Sequence, residues 1–451
     1  FTLSGLKNLS IPLAESKLGN FISDYEEIYG SNPELKSPGA RFRGLIHNAA
    51  KITGEKVVII LDEYDAPTMR LFNQPEERDA MRSMLREFYQ VLKDEGAYLR
   101  FVFITGVTKF SQLTIFSELN NLNQISLDDE FSGICGITQE ELDTVLRPCV
   151  EEYAQDLEIT VEEAYRLLKK NYDGYHFSPK GKDVYAPFSL LKALDAKGTG
   201  YYWFESGTST SLLEHLRQFP ITSALDYDGV EVSENEFSIP CEDAITPMPL
   251  LYQSGYLTIQ SYDRFVQQFR LKIPNNEVRK GLIDCLMPII LKRTVGENNA
   301  LTTAMARAVF KGNLADALTA LRSYIAKIPY DIITKEEWEE KESREAFYKL
   351  LFYMAFSMLN AIVDTEVKSI LGRADVVIET DDDVFVLELK VDDSVDNALA
   401  QINSKGYAIP YEADGRRLTK CGVSISSAAR NITHWRITDA DGNLVDEQQF
   451  E

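Results

Sequence analysis

Gly372-Arg373-Ala374-Asp375-Val376-Val377-Ile378 and Val384-Phe385-Val386-Leu387-Glu388-Leu389-Lys390 are two apolar runs separated by Asp381-Asp382-Asp383. Branched and aromatic residues bounded by an acidic turn predict two strands of a β-hairpin. Side chains alternate along a strand, so Glu388 and Lys390 share one face. Phe385, Leu387 and Leu389 take the other. Across the hairpin, Asp375 comes within reach of Glu388.

Two carboxylates converging there make a hard-oxygen site suited to Mg²⁺ or Mn²⁺. A cation at such a point polarises a phosphate and acidifies a water, and a neighbouring lysine orients that water or steadies phosphorane charge. A lone Glu-x-Lys on a strand is more often a pair of solvated charges. Here both residues lie inside an apolar strand, and Asp375 opens the partner strand. A helix over 339–359 precedes the pair and one over 394–407 follows it. Further strands are expected at 362–367, 418–424 and 431–437.

This stretch resembles the PD-(D/E)XK nuclease superfamily, especially the C-terminal nuclease domains attached to predicted AAA-ATPase-like proteins. That family has the same order: a GRAD strand, a hairpin, then Glu-x-Lys. Ala374 stands where the superfamily name has proline, a departure that touches no ligand. The resemblance makes Asp375, Glu388 and Lys390 the catalytic core, with Asp375 and Glu388 as metal ligands. It matches the family's upstream acid to Glu345 in Ser343-Arg344-Glu345-Ala346-Phe347-Tyr348. The downstream Gln and Tyr match Gln401 and Tyr407. Glu345 and Gln401 also lie on amphipathic helices, where exposed polar residues are ordinary.

The N-terminal part alternates elements differently. A short strand is expected at Phe1–Leu6, with helices over 13–29, 41–52 and 77–95. Val57-Val58-Ile59-Ile60-Leu61 is an unbroken aliphatic run, as suits a parallel strand buried on both faces, and Leu99–Thr105 is a second. The alternation predicts an α/β sheet with crossover helices. Leu61-Asp62-Glu63 ends the first buried strand. In a P-loop ATPase this is the Walker B arrangement, with Asp62 in the Mg²⁺ shell, Glu63 orienting water and Thr105 at the sensor position. An acidic pair ending a strand is otherwise a loop or helix-capping feature. Residues 1 to about 270 resemble the predicted AAA-ATPase-like family through VVIILDEYDAP, ITGVTKFSQLTIFSELNNL, NYDGYHF, YYWFESGT and LLYQSGYLTI.

No GxxxxGK[ST] occurs in the 451 residues, and that loop carries the phosphate-binding N–H groups and lysine. Phe1–Leu6, with no basic start or signal core, reads as internal to a protein. The given stretch is not expected to hydrolyse ATP efficiently; ATP is a cofactor expected of the full-length protein only. Without the strand that feeds the loop, Leu99–Thr105 is expected to lack a neighbour. A local segment, a second chain (hence a homo-oligomer) or loosening of the region would answer that.

From about Thr138 the pattern turns helical, starting at a capping box, Thr138-Gln139-Glu140-Glu141. Leu250–Ile259 reads as helix, turn and strand, a winged-helix-like pattern. His176 is read as structural more readily than as a ligand. Tyr201-Tyr202-Trp203-Phe204 is read as interface packing more readily than as a base-stacking platform.

The expected organisation is an AAA-like α/β core at 1–137 without its Walker A segment, and a helical, winged-helix-like extension at 138–275. A helical connector at 276–338 and a restriction-endonuclease-like α/β domain at 339–451 complete it.

Hydrophobic residues at 44% and charged residues at 26% are ordinary globular values. A net charge of −23 opposes non-specific binding to a polyanion, so a nucleic-acid enzyme of this composition must concentrate positive charge locally or lean on metal. Five scattered cysteines and four histidines with no CxxC argue against a zinc site and fit a reducing cytoplasm. No apolar run of about 18 residues spans a membrane. The leading expectation is a metal-dependent nuclease acting on nucleic acid, DNA ahead of RNA. It is weighed against a vestigial ATPase/nuclease scaffold that binds a partner or nucleic acid.

Overall fold

The structure, a computed structural model, describes residues 1–6, 9–68, 71, 74–106, 122–205, 216, 219, 229–239, 244–290, 295–328, 341–361, 366–368, 375–380, 382–413 and 415–450. Gly372-Arg373-Ala374 and Asp381 lie outside the described residues, as do residues 206–215, 217–218 and 220–228 of the stretch expected to be helical.

Near the N-terminus, helices Ile11–Tyr29 and Pro38–Thr53 each open with a proline in the first turn and close at a glycine of positive φ. Strand β1 (Val57–Leu61), helix Pro75–Asp94 and strand β2 (Leu99–Ile104) follow, and the two strands pair in parallel. Ile59 and Leu61 are buried against Phe42 and Phe88, whose rings stack at 4.6 Å. The expectation of burial on both faces is not met: Val58, Ile60 and Phe101 are 50%, 57% and 55% exposed. Among the described residues, only one face of this pair is covered.

The expected strand at Phe1–Leu6 is also replaced. Only Thr2 bridges to Asp62. Leu3–Leu6 then winds into a 3-10 turn that buries Leu3 and Leu6. Leucines three apart fall on one side of a three-residue turn but on opposite sides of a strand. The Phe1 segment flanks β1, so β1 is the inner strand. Among the described residues, nothing pairs with the outer edge of β2.

The middle segment is capped as its sequence suggests. Thr138 Oγ1 accepts from the Glu141 N–H at 3.3 Å, while Glu141 Oε2 accepts from the Thr138 N–H at 2.8 Å. Thr160 and Glu163 repeat the device at helix Val161–Tyr172. Thr160→Ala is expected to cost about 1 kcal/mol in urea unfolding; an unchanged midpoint would show the cap to be idle. Strand β3 (Ile137–Thr138) pairs with β4 (Val184–Tyr185). Strands β5 (Glu231–Val232), β6 (Thr258–Asp263) and β7 (Gln268–Lys272) form a sheet in the order β5-β7-β6, and the short helix Met248–Gln253 precedes β6 in the chain.

His176 ties the aromatic turn to β6: its N–H donates to Thr258 Oγ1, which donates back to its carbonyl, both at 2.8 Å. Trp203 packs on Tyr256, and its N–H donates to Glu277 Oε1 at 2.9 Å, so this aromatic cluster packs against the next helix.

That helix, Asn276–Ile290, is followed by Val295–Phe310, Leu314–Ile325 and Lys341–Ser357. The last sheet holds β8 (Glu366–Lys368), β9 (Val376–Glu379), β10 (Asp383–Val391), β11 (Arg417–Ser426), β12 (Asn431–Asp439) and β13 (Leu444–Gln449). Their spatial order is β13-β12-β11-β10-β9-β8. Only β10 and β11 run parallel, joined by helix Val395–Ser404. Gly422 of β11 lets that helix settle, because a Cβ there would stand 2.6 Å from the Val395 carbonyl oxygen. Leu318 and Leu321, in the stretch read as a connector, share one core with Phe352, Leu387 and Trp435. Those helices therefore support the sheet that carries the hairpin.

Candidate active site

Strand β10 is buried along almost its whole length, with Lys390 the one partly exposed residue. Apolar residues on both faces drive it into the centre of the sheet, and Glu388 goes with it: the residue is 1% exposed. Antiparallel pairing sets Leu387 opposite Val376, which brings Asp375 alongside Glu388 at the open end of the hairpin. Asp375 Oδ2 accepts the Leu389 N–H at 2.9 Å, pinning that carboxylate to the strand.

Lys390 Nζ donates to Gln401 Oε1 at 2.5 Å and to Glu388 Oε1 at 3.3 Å. Gln401 Nε2 donates to Tyr407 Oη at 3.3 Å. A chain of hydrogen bonds thus fixes the ammonium: lysine donates to the carboxylate and to the amide oxygen, and the amide N–H donates to the phenol. Asp375, Glu388, Lys390, Gln401 and Tyr407 are brought together as the sequence suggested. Glu345 projects from helix Lys341–Ser357 close enough to act electrostatically on the same cluster.

Lys349 is the residue that motif reading missed. Its Nζ lies 2.8 Å from Asp375 Oδ1, and it feels Glu388 and Glu345 as well. The signal was available: Lys349 follows Glu345 by four residues, one helical turn, on the same face.

Burial holds the Glu388 carboxyl well above the ordinary range, at about 7, with the Asp375 charge adding to the shift and Lys390 opposing it. Glu388 Oε2 is buried and has no hydrogen-bond partner among the described residues. Desolvating a carboxylate oxygen with nothing to bind is costly. An oxygen of that kind, beside a second carboxylate, suits a divalent cation. Mg²⁺ commonly takes one or two protein carboxylates and keeps several waters. Consistent with so sparse a donor set, no three His, Cys, Asp or Glu side chains among the described residues are grouped to hold a metal.

Asp62, Glu63 and Thr105 lie at the ends of β1 and β2. Thr105 Oγ1 donates to Asp62 Oδ1 at 2.5 Å. The Thr105 N–H donates to the Leu61 carbonyl at 2.9 Å and the Tyr64 N–H to the Thr105 carbonyl at 3.0 Å. Glu63 takes a φ of +53°, uncommon for a side-chain-bearing residue. The structure therefore joins Asp62, Glu63 and Thr105 at one strand end. Val107–Phe110, the continuation of that segment, lies outside the described residues.

Among the described residues, no helix is long and apolar enough to cross a membrane.

Comparison with known proteins finds a family match in each end of the chain. The family described as Predicted AAA-ATPase matches residues 1–116, and the PD-(D/E)XK nuclease superfamily matches residues 343–435. An uncharacterized protein in the vnfD 5' region of Azotobacter chroococcum mcd 1 is 31% identical over 432 residues, covering 93% of this chain and 78% of that protein. No solved structure matches the chain. With a central hairpin carrying Asp375, Glu388 and Lys390 at one end and a paired Asp62 and Thr105 at the other, the chain belongs to the family of that Azotobacter protein and joins a predicted AAA-ATPase domain to a PD-(D/E)XK nuclease superfamily domain.

Proposed function

We propose that the protein hydrolyses phosphodiester bonds of nucleic acid, DNA ahead of RNA, at the Asp375–Glu388–Lys390 site. The observation that carries this reading is the buried, unpartnered Glu388 Oε2, on a carboxyl that feels the Asp375 charge and holds an ordered lysine at its other oxygen. Asp375 and Glu388 would hold Mg²⁺ or Mn²⁺. Bound there, the cation would polarise the phosphate and acidify a water. Lys390, steadied by Gln401 and Tyr407, presents its ammonium where a phosphate oxygen or the attacking water can be oriented. Glu345 keeps the local charge negative and so favours a cation. The water-poor surroundings strengthen each of these interactions.

In the full-length protein this site would be coupled to the AAA-type domain, with Asp62, Glu63 and Thr105 as its nucleotide-facing residues. The 1–137, 138–275, 276–338 and 339–451 divisions belong to the same proposal.

A cleavage panel tests it: single- and double-stranded DNA and RNA, each with Mg²⁺, Mn²⁺ or EDTA. Cation-dependent cutting of at least one substrate, abolished by EDTA, is expected. Binding without cleavage under every condition would favour the vestigial scaffold instead.

A further inference from the structure

Lys349 has no part in the motif, yet its ammonium lies 2.8 Å from Asp375 Oδ1, against 3.3 Å for Lys390 from Glu388 Oε1. Its side chain is 44% exposed, whereas that of Asp375 is 8% exposed. The lysine therefore reaches in from the rim to a nearly buried carboxylate. It is also near Glu388 and Glu345. With every carboxyl ionised, three carboxylates (Glu345, Asp375, Glu388) act on this cluster against two ammonium groups (Lys349, Lys390), one charge short of neutral. A divalent cation would overshoot neutrality with both lysines in place. The lysine on the exposed rim is the one free to move, because Lys390 is held by Gln401 as well as Glu388.

From this geometry we infer that Lys349 is a resident counter-ion of the site: its ammonium occupies the Asp375 oxygen until a divalent cation displaces it, and it is then free to pair with a phosphate oxygen of the nucleic acid. Cation binding is thus an exchange of one positive group for another on the same oxygen. The inference rests on the metal-dependent reading above and adds to it a residue that sets cation affinity and couples it to substrate. Both ends of the Lys349 side chain serve the exchange. The stem is rooted in helix Lys341–Ser357, which packs on the core through Tyr348 and Phe352. The amine, on four rotatable bonds, can swing outward without disturbing that packing.

The test is calorimetric titration of Mn²⁺ into the full chain, its Lys349→Met variant and its Lys349→Arg variant, without nucleic acid. Methionine keeps the length of the stem and removes the charge. Lys349→Met is expected to bind Mn²⁺ about tenfold tighter than the unaltered protein, the worth of one charge-assisted hydrogen bond at a partly exposed pair. Lys349→Arg keeps a cation there and should stay within about twofold of the unaltered protein.

A second readout is the rise in melting temperature when EDTA is replaced by Mn²⁺, which should be larger for Lys349→Met because its Asp375 carboxylate starts without an ammonium partner while Lys390 still holds Glu388. If Lys349→Met does not fold, Lys349→Gln takes its place. Mn²⁺ affinity that is unchanged or weaker in the uncharged variants, with binding intact in the unaltered protein, overturns the counter-ion role and leaves the nuclease reading standing. Absence of Mn²⁺ binding by every one of these proteins overturns the nuclease reading itself.

Discussion

Asp375→Asn is expected to lower cation-dependent cleavage by roughly a thousandfold, the scale seen when one group acting on the reacting charge is removed. The carboxylate has three tasks: it offers oxygen to a cation, pairs with Lys349 and accepts the Leu389 N–H. Asparagine keeps an oxygen for the Leu389 N–H but loses the charge, so the hairpin should stay folded. Lys390→Ala should act similarly, since Gln401 and Tyr407 would then have no ammonium to position. Cleavage is followed on end-labelled substrates, with circular dichroism to confirm folding. Full activity in Asp375→Asn would place the chemistry elsewhere.

Glu388→Gln should have the largest effect on stability, and its sign depends on pH. Burial and the Asp375 charge raise the Glu388 carboxyl from 4.5 to about 7 in the folded protein. A raised carboxyl favours the protonated form in the fold. Its contribution is therefore fully present below the unfolded value and is lost as pH rises through the folded value. In EDTA the unaltered protein should lose about 3 kcal/mol between pH 4.5 and about 7 from this group. Glu388→Gln, uncharged throughout, should escape that loss, so the variant gains on the parent protein as pH rises. Added Mn²⁺ should stabilise the parent more at the alkaline end, because it binds the ionised carboxylate. Chemical unfolding across that pH range, with EDTA and with Mn²⁺, reads both effects. Parallel pH curves for variant and parent would mean that Glu388 is not the strained acid of the site.

The hairpin and the cluster around it were legible because they depend on local order. Alternation put Glu388 and Lys390 on one face of an apolar strand; the structure adds that β10 lies inside the sheet, between β11 and β9. Gln401 and Tyr407 were reached through the family resemblance, and the structure sets Gln401 against Lys390. The spacing of Lys349 from Glu345 was readable, but its contact with Asp375 comes from packing of helix Lys341–Ser357 against the sheet, which spacing does not show. The aliphatic run Val57–Leu61 announced a strand correctly but not its surroundings: Val58 and Ile60 are half-exposed. Apolar content says that a face is suited to burial, not that something covers it. Phe1–Leu6 was misread because Leu3 and Leu6, three apart, satisfy a 3-10 turn better than a strand. Strand β13 was not foreseen, since Leu444-Val445-Asp446-Glu447-Gln448-Gln449 is polar and largely exposed at the sheet edge.

The most direct test of the account is a crystal of the full chain soaked in Mn²⁺ and examined by anomalous scattering. The account predicts a peak within bonding reach of both Asp375 and Glu388, on the unpartnered Glu388 oxygen, with Lys390 still held by Gln401. A soaked crystal with no peak at that pair, or with Mn²⁺ bound only elsewhere on the chain, would contradict it.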